Sequence, residues 1–244
     1  MDVGPRGAAD PRAAGRDRGV TADDRSVWDR HWATLSGRSS LFGRVASFVR
    51  RQLLSRAVRH YAAAFFPADG VFVEAGCGTA QSSCRLDGTA RTLAALDFSL
   101  LALREARRVP AFASFVQADV FRLPFREDSV SGLWNLGVME HFEAPAGRLV
   151  LEEFRRVLKP GAVAILFWPP EFGASRLVLA PLEALASFFR KTPFRFFPDE
   201  VNRLHSRGQA RQVLLEAGLE AAAVDVTPRD LFIHLVVVAR KPAA

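Results

Sequence analysis

Cysteine, methionine, tyrosine and lysine are nearly missing from this chain of 244 residues. It holds two cysteines, two methionines and one tyrosine, and all but Lys159, Lys191 and Lys241 of its 33 basic residues are arginine. Two cysteines cannot build a disulfide framework, so a reduced, cytoplasmic setting is expected. No uninterrupted apolar run approaches about 20 residues, so no bilayer span is expected. Residues 1–25 lack any apolar stretch and carry five Arg, five Asp and four Gly. That composition predicts no secretory leader and a disordered tail ahead of a domain at 26–244. There is no internal repeat. Acids are absent from Arg30 to Ala68, where seven arginines stand. Apolar residues, at 49% of the chain, suffice for one full α/β core.

The most informative segment is Val71-Phe-Val-Glu-Ala-Gly-Cys-Gly-Thr-Ala80. Residues 71–73 read as a short buried strand closed by Glu74. Gly76 and Gly78 then make a turn where backbone can approach a ligand without Cβ interference. Residues 79–85 have the composition of a helix start, which would aim free N–H groups at the turn. Gln81 stands where a dinucleotide-binding Gly-x-Gly-x-x-Gly fingerprint needs its third glycine. A second strand, 91–97, ends in Asp97, 21 positions after Gly76. A third, at about 111–117, runs into Asp119. One acid after a strand is commonly a cap, but three at successive strand ends behind a glycine turn point to a nucleoside-type ligand.

Further on, Leu123-Pro-Phe-Arg-Glu-Asp-Ser-Val-Ser-Gly-Leu-Trp-Asn-Leu-Gly-Val-Met-Glu-His141 leads to Leu151-Glu-Glu-Phe-Arg-Arg-Val-Leu-Lys-Pro-Gly161, a helix ended by Pro160 and Gly161. A fifth strand is expected at 162–168, and two more at 219–226 and 231–240. With the glycine loop, these segments resemble the class I S-adenosylmethionine-dependent methyltransferases, type 11, similar to quinone-ring and sterol methyltransferases. Ala80 and Ser131 depart from that pattern, which usually has glycine and aspartate there. The resemblance implies a Rossmann-like, mostly parallel seven-stranded sheet, helices on both faces, and an antiparallel last strand inserted beside the sixth. It implies S-adenosylmethionine as cofactor, held by Glu74, Ala75, Gly76, Cys77, Gly78, Asp97, Phe98, Asp119, Val120 and Asn135. Asp97 would take the ribose hydroxyls and Asp119 the adenine amino group. His141 is the best-placed general base, or else a residue that orients its loop.

Two flanking segments bear on the acceptor. Leu41, Phe42, Val45, Phe48, Val49, Leu53 and Leu54 recur at helical spacing inside the acid-free stretch. They predict a helical N-terminal cover packed beside the sheet with a solvated arginine face. The alternative is a surface for a phosphate-bearing substrate or an anionic membrane. Residues 169–207 read as an insertion after the fifth strand, with Phe188, Phe189, Phe194, Phe196 and Phe197 among Arg190, Lys191 and Arg195. They form either a lid over an apolar acceptor or a surface for the domain itself or a dimer partner.

The expected activity is methyl transfer to a small, apolar or amphiphilic acceptor. The alternative is a non-catalytic protein that binds S-adenosylmethionine or its product for regulation or assembly. Nucleic acid is not expected as a partner. Trp168-Pro-Pro-Glu171 follows the fifth strand, whereas a base-gripping Pro-Pro motif must follow the fourth. No metal is expected, because Glu140 and His141 have no further ligands at recognisable spacing.

Overall fold

The computed structural model describes residues 26–30, 32, 41–171 and 200–243. The tail expected at 1–25 lies outside the described residues, and so do residues 172–199 of the lid expected at 169–207, with Phe188, Phe189, Phe194, Phe196 and Phe197. Residues 26–30 are helical. Then come α1 (Leu41–Val49), a π-helical turn (Arg50–Leu54), α2 (Ser55–Phe65), β1 (Gly70–Ala75), β2 (Arg91–Asp97), α3 (Leu100–Ala106), β3 (Ser114–Gln117) and β4 (Val130–Leu136). The chain continues through α4 (Ala144–Val157), β5 (Leu158–Trp168), α5 (Arg207–Glu216), β6 (Glu220–Val226) and β7 (Leu235–Arg240).

The strands form one sheet in the order β3-β2-β1-β4-β5-β7-β6. β1 to β5 are parallel, and β7 lies antiparallel between β5 and β6. This is the arrangement the resemblance implied. Successive residues of the central strands point to opposite faces, and both faces are covered, so these strands read as continuous apolar runs. On one face Val73, Leu133 and Leu166 pack with Val150, Leu151 and Phe154 of α4 and with Leu214 of α5. On the other, Phe72, Trp134 and Phe167 pack with Ala57, Val58 and Tyr61 of α2 and with Leu103 of α3.

Several boundaries differ from expectation. β1 runs to Ala75, so Glu74 sits inside the strand rather than closing it. No α-helix follows the glycine loop. Residues 79–85 hold only a 3-10 turn at Gln81–Ser83, preceded by Ala80 in the left-handed region at φ 53°. The serines explain this: Ser82 and Ser83 turn inward and are buried, and Ser83 Oγ accepts from Trp134 Nε1 at 3.0 Å. Helix α4 ends at Val157, ahead of Pro160, and Leu158 already pairs with Val130. β7 starts at Leu235 because Leu231 and Phe232 take left-handed φ of 57° and 59° in the preceding turn. Ser131 is 6% exposed beneath Gly70 and accepts from Lys159 Nζ at 3.1 Å. A larger side chain at Ser131 would crowd that glycine, so here the lysine tie holds the strand.

Helix α5 is started by Ser206, whose Oγ accepts from Gln209 N at 3.1 Å. Ser206→Ala is expected to cost about 1 kcal/mol in denaturant unfolding, the usual value of a lost N-cap.

Candidate active site

The parallel strands β1, β2, β3, β4 and β5 end on one edge of the sheet, the edge where open α/β sheets bind ligands. Just after β1 the chain turns back on itself. Gly76 N and Cys77 N both donate to Leu96 O of β2, at 2.8 and 2.9 Å. Gly76 and Gly78 take φ of +73° and +51°, so the turn suits glycine on conformational grounds alone. Space agrees: a Cβ on Gly76 would come within 2.6 Å of Val138 Cγ2.

Asp97, at the end of β2, ties the site together. Its Oδ2 accepts from Gly78 N and its Oδ1 from Ser99 N, both at 2.8 Å. The carboxyl is 4% exposed. Burial pushes its pKa up to about 6, against the opposing hydrogen bonds from Ser99 and Gly78. Glu74 is buried on β1, and desolvation pushes it further, to about 8, with Asp97 adding repulsion. Cys77 is buried beside both acids, and burial raises its thiol well above the usual range. Glu74, Cys77, Gly78 and Asp97 are thus brought together.

The remaining expected residues fare differently. Ala75 is fully buried in the sheet core. Phe98 is half-buried just past Asp97, and its carbonyl accepts from Gln117 Nε2 at 3.1 Å. Asp119 caps its own turn, with Oδ1 accepting from Phe121 N at 3.0 Å. Val120, next to it, is 5% exposed, and its side chain packs in the core cluster of α4. Asn135 is fully buried on β4, with neither amide atom hydrogen-bonded among the described residues.

His141 closes a 3-10 turn, Met139–His141, after β4. Burial lowers its pKa to about 4, so the ring is neutral at ordinary pH. Its Nε2 lies 4.0 Å from Oε1 of Glu140, which burial in turn pushes up to about 8. A neutral imidazole can accept a proton, though with a lowered pKa it does so weakly until a partner stabilises the charge.

Three contacts were not read from the sequence. Trp28 meets His141 edge-on, with ring centroids 4.8 Å apart. A Cβ on Gly78 would come within 2.6 Å of Trp32 Cη2. Asp29 Oδ1 accepts from Ser99 Oγ at 2.5 Å. One short N-terminal segment, upstream of the helices from which the cover was expected, therefore touches the ends of β1, β2 and β4. The available signal was the pair Trp28 and Trp32, one helical turn apart in a chain with four tryptophans.

Residues 73–166 match the family described as a methyltransferase domain. Over those residues, less than half of the chain, it is similar to a methyltransferase domain of type 11. Over 90 residues it is 38% identical to malonyl-[acyl-carrier protein] O-methyltransferase of Erwinia pyrifoliae, covering 36% of this chain and 33% of that protein. The match therefore reaches about a third of that relative's length. The fold of the domain is similar to magnesium protoporphyrin IX methyltransferase from Synechocystis solved with bound S-adenosylhomocysteine, at TM-score 0.61 and 18% identity, covering 89% of this chain and 95% of that one. It is also similar to 1,6-didemethyltoxoflavin-N1-methyltransferase of Burkholderia thailandensis, at TM-score 0.60 and 18% identity, covering 98% and 93%. At such identities these structures bear on the fold of the methyltransferase domain alone.

Proposed function

We propose that this chain uses S-adenosylmethionine to methylate a small acceptor that is apolar or amphiphilic. The observation that carries the reading is Asp97: a buried carboxylate tied to the glycine turn through Gly78 N, at the strand end where a nucleoside ribose would sit. The polar inventory of the same edge fits the group. Glu74 Oε2, Glu140 Oε2 and both amide atoms of Asn135 are buried without hydrogen-bond partners among the described residues, and such atoms call for polar ligand groups. Glu74 would meet the ammonium end of the cofactor, and Gly76 and Gly78 would pass beneath it.

When bound, the cofactor supplies an activated sulfonium methyl group. The protein's share is alignment and exclusion of water. Trp28 and Trp32 cover the edge, and the buried surroundings of His141 keep its ring neutral and able to accept a proton from an oxygen or nitrogen acceptor. On this assignment His141 is the base and Trp28 holds its ring. The apolar composition of 172–199 favours an acceptor with greasy parts.

Two of the four tryptophans, Trp134 and Trp168, are buried at 1% exposure, so Trp28 and Trp32 are the reporters at the edge. Titration with S-adenosylhomocysteine is expected to change tryptophan fluorescence with a micromolar midpoint, and Trp32→Phe to remove most of the change. Labelled cofactor is then offered with quinols, phenols, lipids and bulk RNA. Transfer to a small hydrophobic acceptor supports the proposal. Tight binding with no transfer to any class favours a regulatory or assembly role, and folded protein that binds neither cofactor form would end the methyltransferase reading.

A further inference from the structure

The N-terminal helices carry an exposed face that the site does not use. α1, the π-helical turn and α2 run continuously from Leu41 to Phe65, a rod of roughly 37 Å at the α-helical rise. Leu54, Ala57, Val58, Tyr61 and Ala62 bury one side of it. The other side presents Val45 at 51% and Phe48 at 64% exposure, flanked by exposed Arg44, Arg51, Arg56 and Arg59. Arg56, Arg59, His60 and Arg85 line a recess of about 390 Å³ on the same rod. The Arg85 guanidinium is held in place there by Arg51 O, Ser55 Oγ and Gln52 Oε1. A π turn drops one residue from the α-helical count, which brings Arg56 into line with Phe48 as positions seven apart would be. The turn thus joins the apolar prongs and the arginine recess into one stripe.

We propose that this stripe docks the protein on an anionic membrane, with Phe48 and Val45 entering the headgroup boundary and the arginines engaging lipid phosphates. The choice of partner rests on charge and shape. Among the described residues, none of Arg44, Arg51, Arg56, Arg59 or Arg85 forms an ion pair with a carboxylate, and Asp87 is the acid whose charge Arg59 feels. No acid occurs from Arg30 to Ala68, so the stripe is charged with one sign along its length, whereas the core of a protein interface is depleted of charge. A nucleic-acid track needs several stacking aromatics, and among the described side chains Phe48 is the one exposed phenylalanine on this face. A continuous, single-signed helical stripe with exposed apolar prongs is what an interfacial helix presents. No described helix is long and apolar enough to cross the bilayer, so the contact is peripheral. An acceptor dissolved in the membrane would then reach the site without crossing water.

The test is vesicle flotation of the full chain. Vesicles of phosphatidylcholine with phosphatidylglycerol are expected to carry the protein, phosphatidylcholine alone to leave it behind, and high salt to release it. Phe48→Asp, and separately Arg56→Glu with Arg59→Glu, are expected to lower partitioning by about tenfold or more. Both variants should keep wild-type circular dichroism and S-adenosylhomocysteine affinity, which separates this proposal from the assigned activity. Equal partitioning onto neutral vesicles, no partitioning at all, or tighter binding to RNA or to soluble phosphate would overturn it.

Discussion

Asp97→Ala is expected to weaken S-adenosylhomocysteine binding by at least tenfold and toward a hundredfold. Hydrogen bonds to a charged acceptor contribute roughly 1.5–3 kcal/mol each, and two ribose hydroxyls can bond to this carboxylate. Losing both corresponds to about 10² to 10⁴ in affinity, and replacement water lowers that toward the tenfold floor. The substitution also frees Gly78 N and Ser99 N, which the carboxylate holds at 2.8 Å, so the glycine turn loses its anchor. Asp97→Asn keeps the shape and one acceptor oxygen, and an intermediate loss is expected. Calorimetry reads the affinities, and thermal unfolding shows whether each variant is folded. Affinity within about threefold of wild type in a folded alanine variant would remove Asp97 from the site.

The second large effect concerns pH. The cofactor-free protein is expected to lose stability steadily between about pH 6.5 and 8. Burial raises Glu74 and Glu140 from 4.5 to about 8. In this window the folded protein holds both protons and the unfolded chain holds neither, so stability falls as pH rises. Each group contributes a slope approaching about 1.4 kcal/mol per pH unit until it titrates. Asp97, at about 6, has largely titrated below the window. His141 acts at lower pH with the opposite sign: lowered from 6.5 to about 4, it adds stability as pH rises through that range and is flat above it. Binding should reverse the trend. A cofactor ammonium beside Glu74 favours the carboxylate, so binding releases a proton and tightens from pH 6.5 to 8. Buffers of differing ionisation enthalpy would reveal the proton, and Glu74→Gln should abolish its release. A flat melting temperature across the window would show that these acids are ionised in the folded protein.

The sheet was readable because its signals are local and redundant. β2 begins and ends where its apolar run and Asp97 place it, and the strand order follows from the chain of motifs. The glycine turn was readable because both glycines need positive φ. What was missed depends on contacts remote in sequence. The helix expected at 79–85 gives way because Ser83 bonds Trp134, 51 positions away. Trp28, Asp29 and Trp32 reach the site from a segment with no motif, and only the folded chain brings them to Ser99, Gly78 and His141.

The missing helix after the glycine turn has a consequence for where the folding unit ends. Leu93, Trp134 and Ile165 share a core with Ala57, Val58 and Tyr61 of α2, which is supplied from upstream of the family match. β5 pairs with β7, supplied from downstream. A fragment cut to 73–166 would keep the glycine turn and the strand-end acids and still present a bare apolar face and an open strand edge, the two surfaces that drive self-association. Such a fragment should precipitate rather than bind anything. Minimal boundaries for expression therefore follow the packing, upstream to the first arginine-bearing helix and downstream through the returning strand, and not the motifs.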